Sequence, residues 1–419
     1  MSTAVAPALE EINAFDPAVL QEPFGYWARL RIEAPVFRDP KTGIVHVSTY
    51  DLIREVNAQP RRFSNDFGAQ MRSGAAPPDP EEVAIMREGL QPANTLLTAD
   101  PPVHTRFRKL VGKAFAMKRV EGLTPYIARV CAELLDEIAP LGRVEFKTAF
   151  ADRLPMTVIA DQLGVPREHM ATFKAWSDGF IVQLGGVSDR ATRLDAARKI
   201  VAFQKYFLEK IEEKRANPGE DIISDLVHAD LAEEGDPRKM TPDELISIFQ
   251  QLLVAGNETT AHTLAAGLYY LIRHPEQQAA LRADPGLVSG FVEATLRFLS
   301  PTNNMWRLCV EDTAVGGVDI RRGEMVLLRY GSGNRDGAHF PEPDRFDLRR
   351  ENAREHLAFG AGIHTCIAAP LARKELNVAF PLILERLAEL RLEDDDIRYA
   401  PNILLRGVER LNVAYRDAR

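Results

Sequence analysis

Residues 359–373 read FGAGIHTCIAAPLAR, placing one cysteine, Cys366, behind Gly360, Gly362 and His364 and ahead of a stretch suited to a helix. The two glycines permit positive φ and close approach of the backbone to a flat ligand, and the amides of such a loop can point at the sulfur. After Cys366, IAAPLARKEL is a good helix start, with Pro370 in the first turn. The sulfur is therefore expected at a helix N-terminus, where the dipole and free N–H groups favour a thiolate. A stabilised thiolate can be a nucleophile or a metal ligand. For the residue taken alone, a buried cysteine packing as a small apolar side chain is the alternative.

The rest of the composition narrows the setting. The chain has 419 residues, 45% hydrophobic and 27% charged, which is ordinary for a soluble globular protein with a large core. No Ser/Gly linker, low-complexity block or internal repeat divides it, so one large domain spanning 1–419 is expected. The start, MSTAVAPALEEINAF, lacks a basic segment followed by an apolar run, and no run of about 18 apolar residues occurs, so a cytoplasmic protein with no membrane span is expected. Cys131, Cys309 and Cys366 are odd in number and far apart, which argues against a disulfide framework and against CxxC-type zinc sites. A net charge of -8 argues against general nucleic-acid binding.

Along the chain, two short β-like runs, Val36 to Arg38 and Ile44 to Val47, flank the turn-rich DPKTG and predict a hairpin. Residues 63–102 carry SGAAPPDP and a second Pro pair, a long irregular stretch of the kind that often serves function. From 103 to 300 the pattern is mostly helical. The clearest helix begins at TPDEL, where Thr241 caps, Pro242 suits the first helical position and Glu244 completes a capping box. It runs to His274, before Pro275. About 32 residues at 1.5 Å each give roughly 48 Å, enough to cross a whole domain. Strand-like runs such as DIRRGEMVLLRY return after residue 300, so the chain reads as α+β with helices dominating.

The cysteine stretch resembles the haem-binding loop of the cytochrome P450 family, the haem-thiolate monooxygenases, written FGxGxHxCxGxxLAR. It matches at Phe359, Gly360, Gly362, His364, Cys366, Leu371, Ala372 and Arg373, and the resemblance extends over nearly the whole chain. It implies the cytochrome P450 fold, mainly α-helical, with a long central helix and small β-sheets. It also implies haem b (iron protoporphyrin IX) as cofactor and Cys366 as the iron ligand, its thiolate pushing electron density towards O–O cleavage. Ala368 stands where the family usually has glycine; alanine is small and a good helix former, so little harm is expected.

Within the long helix, AGNETT (255–260) combines small residues with an acid and a hydroxyl. Ala255 and Gly256 lack bulk and can leave a groove, and Glu258 and Thr259 supply a carboxylate and an alcohol for proton delivery. This segment resembles the family's AGx[DE]TT, which implies catalytic roles for Glu258 and Thr259. DPPVHTRFR (100–108) puts His104 and Arg108 at i, i+4 on one helical face. By resemblance these two, with Arg307 and His364, clamp the haem propionates, a task that suits cationic donors.

One departure from the family touches its ExxR network of a Glu, an Arg and a second Arg from a later meander. GFVEATLRF supplies Arg297 and PDRF supplies Arg345, but three residues before Arg297 stands Ala294. Glu293 lies one residue earlier, about 100° around the helix, and is expected to take the missing role through a local adjustment of the helix.

The resemblance further implies a substrate pocket lined by 63–102, Phe180 to Leu184, Leu252 to Thr259, Thr302 to Met305 and Ile403 to Leu405, with Leu404 among them. Most of these are apolar, so a small hydrophobic substrate is expected. Asn303 and Asn304 either bind a substrate oxygen or brace the local backbone. No FAD, NADPH or iron–sulfur pattern occurs, so electrons come from outside, by resemblance from a ferredoxin and its reductase. Arg106, Lys109, Lys113, Lys118, Arg119 and Lys374 form either a docking patch for that acidic partner or a solvated helix face. The leading reading is a dioxygen-dependent monooxygenase. A peroxide-driven peroxygenase and a non-catalytic haem-binding sensor or carrier are the alternatives.

Overall fold

The computed structural model describes residues 7–68, 79–183, 188–230 and 238–419. Leu184 and residues 69–78 of the irregular segment lie outside them. Ten of the helices surround and position the cysteine loop and the region beside it: α1 (Tyr50–Asn57), α2 (Pro80–Met86), α3 (Val103–Ala114), α4 (Thr124–Ile138), α5 (Arg153–Gln162), α6 (Met170–Gln183), α7 (Arg190–Ala216), α8 (Pro242–Arg273), α9 (Val288–Leu299) and α10 (Ala369–Arg386).

The expected hairpin forms from β1 (Val36–Arg38) and β2 (Val45–Val47), with Val36 opposite Val47. With β3 (Phe63–Ser64), β5 (Met305–Cys309) and β8 (Met325–Leu328) it builds a sheet ordered β1-β2-β8-β5-β3. Two smaller sheets complete the set: β4 (Arg143–Glu145) with β10 (Asn412–Asp417) and β9 (Leu387–Leu392), and a hairpin of β6 (Thr313–Val315) and β7 (Val318–Ile320).

Helix α8 has the bounds that its capping residues predict. The Glu244 amide donates to Thr241 Oγ1 at 3.3 Å, the Thr241 amide donates to Glu244 Oε2 at 2.8 Å, and the helix stops at His274. Its Leu245, Ile248, Phe249, Leu253, Leu264, Leu268 and Leu271 are fully buried, each contributing about 1.5–3 kcal/mol by leaving water. It packs against α5, α9 and α10 inside one large apolar cluster, while a second cluster lies under the five-stranded sheet. The cysteine loop joins the two, entering from the sheet side and leaving into α10.

Helix α2 is held differently, because none of its side chains is buried. Its acids and their neighbours face the basic edge of α7: Arg190 pairs with Asp79 and Glu81, Arg198 with Glu81, Arg193 with Glu82, and Lys205 with Glu88. The neutral anchor is Gln204, which accepts from the Leu90 amide at 2.9 Å and donates to its carbonyl at 3.2 Å. Exposed pairs contribute only about 0.2–1 kcal/mol each and are screened by salt. Raising NaCl from 0.05 to 1 M is therefore expected to speed amide exchange about tenfold over 80–88 while leaving the middle of α8 unchanged. Exchange in α2 that ignores salt would mean that the ion pairs hold nothing.

Candidate active site

The cysteine loop is shaped by its backbone. Gly362 has φ +72°, and a Cβ there would stand 2.3 Å from the Asn57 carbonyl oxygen, so only glycine lets the loop lie against the end of α1. The Cys366 amide donates to the Phe359 carbonyl at 2.8 Å, closing the loop on itself. Beyond it the chain turns and α10 starts at Ala369 with Pro370 in the first turn. The Ala368 and Ala369 amides point at the sulfur, as the helix-start reading anticipates. Burial nevertheless pushes the Cys366 thiol up, and the pull of those amides, Arg108 and Arg373 does not overcome it. A thiolate here needs a further positive charge at the sulfur, and a metal ion is one.

Four basic side chains converge next to this loop. The rings of His104 and His364 lie 4.1 Å apart, Arg108 follows His104 by one turn of α3, and Arg307 reaches in from β5. Arg307 donates to Asn57 Oδ1 at 2.6 Å and to the Trp306 carbonyl at 2.7 Å. None of the four is hydrogen-bonded to a carboxylate among the described residues. His364 is held down to about 3 by burial and then by His104, Arg307 and Arg108, and its buried Nε2 meets no partner there. A desolvated cluster of donors with an unpaired ring nitrogen fits a ligand bearing two carboxylates. Reasoning from sequence missed Asn57, which accepts from Arg307 and from the Tyr330 hydroxyl while its carbonyl backs Gly362. A lone Asn at the end of a short helix carries no pattern that could have flagged it.

On α8, Ala255 is exposed and Thr259 half-exposed, although Leu252–Val254, Asn257, Glu258 and Thr260 around them are buried. At i and i+4 the two share one face, which is accessible where the rest of this stretch is buried. Gly256 does not contribute as expected, because its missing side chain faces Ile159 on α5 at an ordinary 3.5 Å. Glu258 and Thr259 are not brought together either. The Thr259 hydroxyl donates to the Ala255 carbonyl at 3.0 Å, whereas Glu258, about 100° around the helix, lies 3.4 Å from Lys174 Nζ and 3.7 Å from His262 Nε2. Lys174 also pairs with Asp178 near the surface, so the carboxylate has a route of charged groups outward. His262 is fully buried and held down to about 3, first by burial, so it stands neutral beside Glu258.

The expected ExxR network is corrected by the structure. Glu293 does not approach Arg297; it binds Arg373 and His356 instead. Arg297 is fully buried and donates to the carbonyls of Asn334, Pro343 and Arg345 at 2.9, 2.8 and 3.1 Å. Burial, then the charges of Arg350 and Arg335, pull it down to about 9, and its Nε finds no acceptor among the described residues. The Arg345 side chain points outward to Glu342 and enters the network only through its carbonyl.

Several pocket residues also differ from expectation. Phe180 is fully buried against Phe203, ring centroids 5.0 Å apart, and belongs to the core between α6 and α7. Leu252 is almost fully buried. Asn304 donates its side-chain amide to the Ile403 carbonyl and so braces the 403–404 backbone, whereas Asn303 meets the Leu404 carbonyl through its backbone N–H at 2.7 Å and its buried side-chain Oδ1 has no partner among the described residues. Thr302, Met305 and Leu404 remain half-exposed, and Ala255 and Leu97 are among the exposed apolar side chains of the same regions. In the basic patch, Lys374 pairs with Glu121 and Arg119 with Asp225, which lowers its net charge.

A loop that aims amides at a cysteine sulfur, two arginines and two histidines beside it and a long helix with an open face fit a dianionic metal cofactor held on a thiolate. The family model described as Cytochrome P450 matches residues 189–291 and 286–406. Across 425 aligned residues the chain is 37% identical to cytochrome P450 monooxygenase PikC of Streptomyces venezuelae, covering 100% of this chain and 97% of that one. It is 38% identical over 323 residues to 6-deoxyerythronolide B hydroxylase of Saccharopolyspora erythraea, covering 77% of this chain and 78% of the other. The structure of CYP109Q5 from Chondromyces apiculatus superposes with a TM-score of 0.85 at 34% identity, covering 98% of this chain and 100% of that one. The chain belongs to the cytochrome P450 family, as a monooxygenase with a haem-iron cofactor. No helix among the described residues is long and apolar enough to cross a membrane.

Proposed function

We propose that this monooxygenase hydroxylates a small hydrophobic organic substrate, with haem b held by Cys366 and electrons delivered by a ferredoxin-type donor in the cytoplasm. The observation that carries the reading is the convergence of His104, Arg108, Arg307 and His364 beside the Cys366 loop with no carboxylate among the described residues hydrogen-bonded to any of them. These four bind the two haem carboxylates, and the Ala368 and Ala369 amides orient the sulfur. When bound, the haem iron supplies the binding and activation of dioxygen.

The remaining work falls to side chains of α8. Ala255 keeps the open face free of bulk, and Thr259 holds a hydroxyl there whose proton is given to the Ala255 carbonyl at rest. Turning about χ1 frees that proton for the site. Glu258, on the neighbouring face of α8 and tethered to Lys174, holds a carboxylate on a route of charged groups that ends at Asp178 near the surface. Apolar surface from Leu97, Met305 and Leu404 binds substrate by burial rather than by charge. The similarity to 6-deoxyerythronolide B hydroxylase makes 6-deoxyerythronolide B a sensible first compound in a ligand screen.

The test is the visible difference spectrum of the dithionite-reduced protein with carbon monoxide, followed by turnover with ferredoxin, reductase and NADPH. A strongly red-shifted Soret band, lost in Cys366→Ser, is the expected result. A band typical of imidazole or thiol ligation overturns the assignment of Cys366 and favours a non-catalytic haem carrier. For the proton route, Thr259→Ala is expected to lower product formed per NADPH by at least about tenfold while retaining the red-shifted band. Unchanged coupling would remove Thr259 from the mechanism.

A further inference from the structure

Glu293 is a heavily engaged buried acid, and its partners belong to the cysteine loop rather than to the arginine three helical positions beyond the absent glutamate. Arg373, from α10, donates to it through two nitrogens, Nε to Oε1 at 2.7 Å and Nη2 to Oε2 at 3.0 Å. His356 Nε2 lies 3.0 Å from Oε2. The Ala358 amide donates to His356 Nδ1 at 3.2 Å, which leaves the ring proton on Nε2 and makes His356 a donor to Glu293. Burial raises the Glu293 carboxyl, but the His356 and Arg373 hydrogen bonds outweigh it and hold the group down to about 2. It is therefore a permanent anion, 1% exposed, between two elements of the loop.

Both partners bear on one ring. The Arg373 guanidinium stands 4.5 Å over the centroid of Phe359, and the His356 ring is 5.7 Å from it. Phe359 is also the residue whose carbonyl receives the Cys366 amide. A continuous chain of contacts thus runs from Glu293 through Arg373 and His356 to Phe359, and from Phe359 to the backbone of Cys366. Without the Glu293 charge, Arg373 would be a cation near the sulfur with no anion fixing it, and Phe359 would lose what holds its ring at a set angle.

We propose that Glu293 is a positioning residue for the Cys366 loop: it fixes Arg373 and His356 against Phe359 and balances the Arg373 charge beside the sulfur. The proposal rests on the reading of Cys366 as the haem ligand. It explains why Ala294 is tolerated. The Arg297 site is satisfied by backbone carbonyls, and Glu293, the buried carboxylate of α9, turns to Arg373 and His356 instead.

The experiment compares haem-loaded wild type, Glu293→Gln, Glu293→Asp and the Glu293→Gln/Arg373→Gln double variant by reduction potential of the iron and by melting temperature. Removing the negative charge leaves Arg373 uncompensated, and extra positive charge favours the state with one more electron. The potential is therefore expected to rise in Glu293→Gln and to return towards wild type in the double variant and in Glu293→Asp. A melting temperature that falls with an unmoved potential in every variant overturns the proposal and leaves Glu293 a purely structural residue. If Glu293→Gln does not fold, the double variant, which has no unpaired charge, still decides. Arg373→Gln alone leaves the Glu293 anion without its guanidinium and is then expected to lower the potential, with the double variant bringing it back towards wild type; an unmoved potential in Arg373→Gln overturns the proposal. Failure of the underlying reading is separately visible, because the wild type would then show no red-shifted carbon monoxide band.

Discussion

Arg297→Ala is expected to destabilise the protein by about 3–5 kcal/mol and to cost most of its bound haem during purification. The guanidinium is the donor for three carbonyls, those of Asn334, Pro343 and Arg345, in a segment with little regular structure to pair them otherwise. Each buried carbonyl left without a donor forfeits about 1–3 kcal/mol, and water entering the gap recovers part of the sum. The same segment leads into His356 and Phe359, so its loosening reaches the cysteine loop. Arg345→Ala is the informative partner variant. Its side chain is 59% exposed and among the described residues pairs with Glu342 alone, so its loss is expected to stay within about 0.5 kcal/mol. Denaturant unfolding of the two variants checks the pair. Equal damage from both would restore the Arg345 guanidinium to the network and contradict the outward direction of its side chain.

How the sequence could mislead at this place and not elsewhere has a physical reason. Thr241, Pro242, Glu244 and the Pro275 stop act within one helix, through contacts three or four residues apart, and the bounds of α8 come from them. The Cys366 loop is likewise local, since its glycines, its amide to Phe359 and its helix start all lie within about a dozen residues. Side-chain direction is not local in this sense. Whether Glu293 turns to Arg297 or to Arg373 depends on how α9 sits against α10, a contact between segments 80 residues apart in sequence. The same holds for Asn57, which meets Arg307 across 250 residues, and for Glu258, which meets Lys174 across 84. Phe180 fits either a pocket wall or a core by its chemistry, and only the packing of α6 on α7 decides.

Glu375→Gln is expected to stabilise the protein, by up to about 3.5 kcal/mol at pH 7, an unusual direction for a substitution in a core. Glu375 lies on α10, is 2% exposed, and points towards α4, where its neighbour is the buried thiol of Cys131. Its Oε2 meets no partner among the described residues, and burial alone raises the carboxyl well above its ordinary 4.5. An acid raised on folding stays protonated in the native state while the unfolded chain ionises above pH 4.5, so ionisation favours the unfolded chain increasingly as pH rises. Each pH unit is worth about 1.4 kcal/mol, and the 2.5 units from 4.5 to 7 set the upper limit of the gain. A glutamine keeps the shape and cannot ionise, so it removes this cost without opening a cavity. The gain should accordingly be near zero at pH 4, grow through pH 5 and 6, and level off where the native-state carboxyl itself begins to ionise. Urea unfolding of both proteins between pH 4 and 8 measures it. A difference that does not change with pH would mean that Glu375 has a hydrogen-bond donor or a counter-charge in the folded chain and is ionised there, and the buried face between α10 and α4 would then hold a stabilised carboxylate rather than a neutral acid.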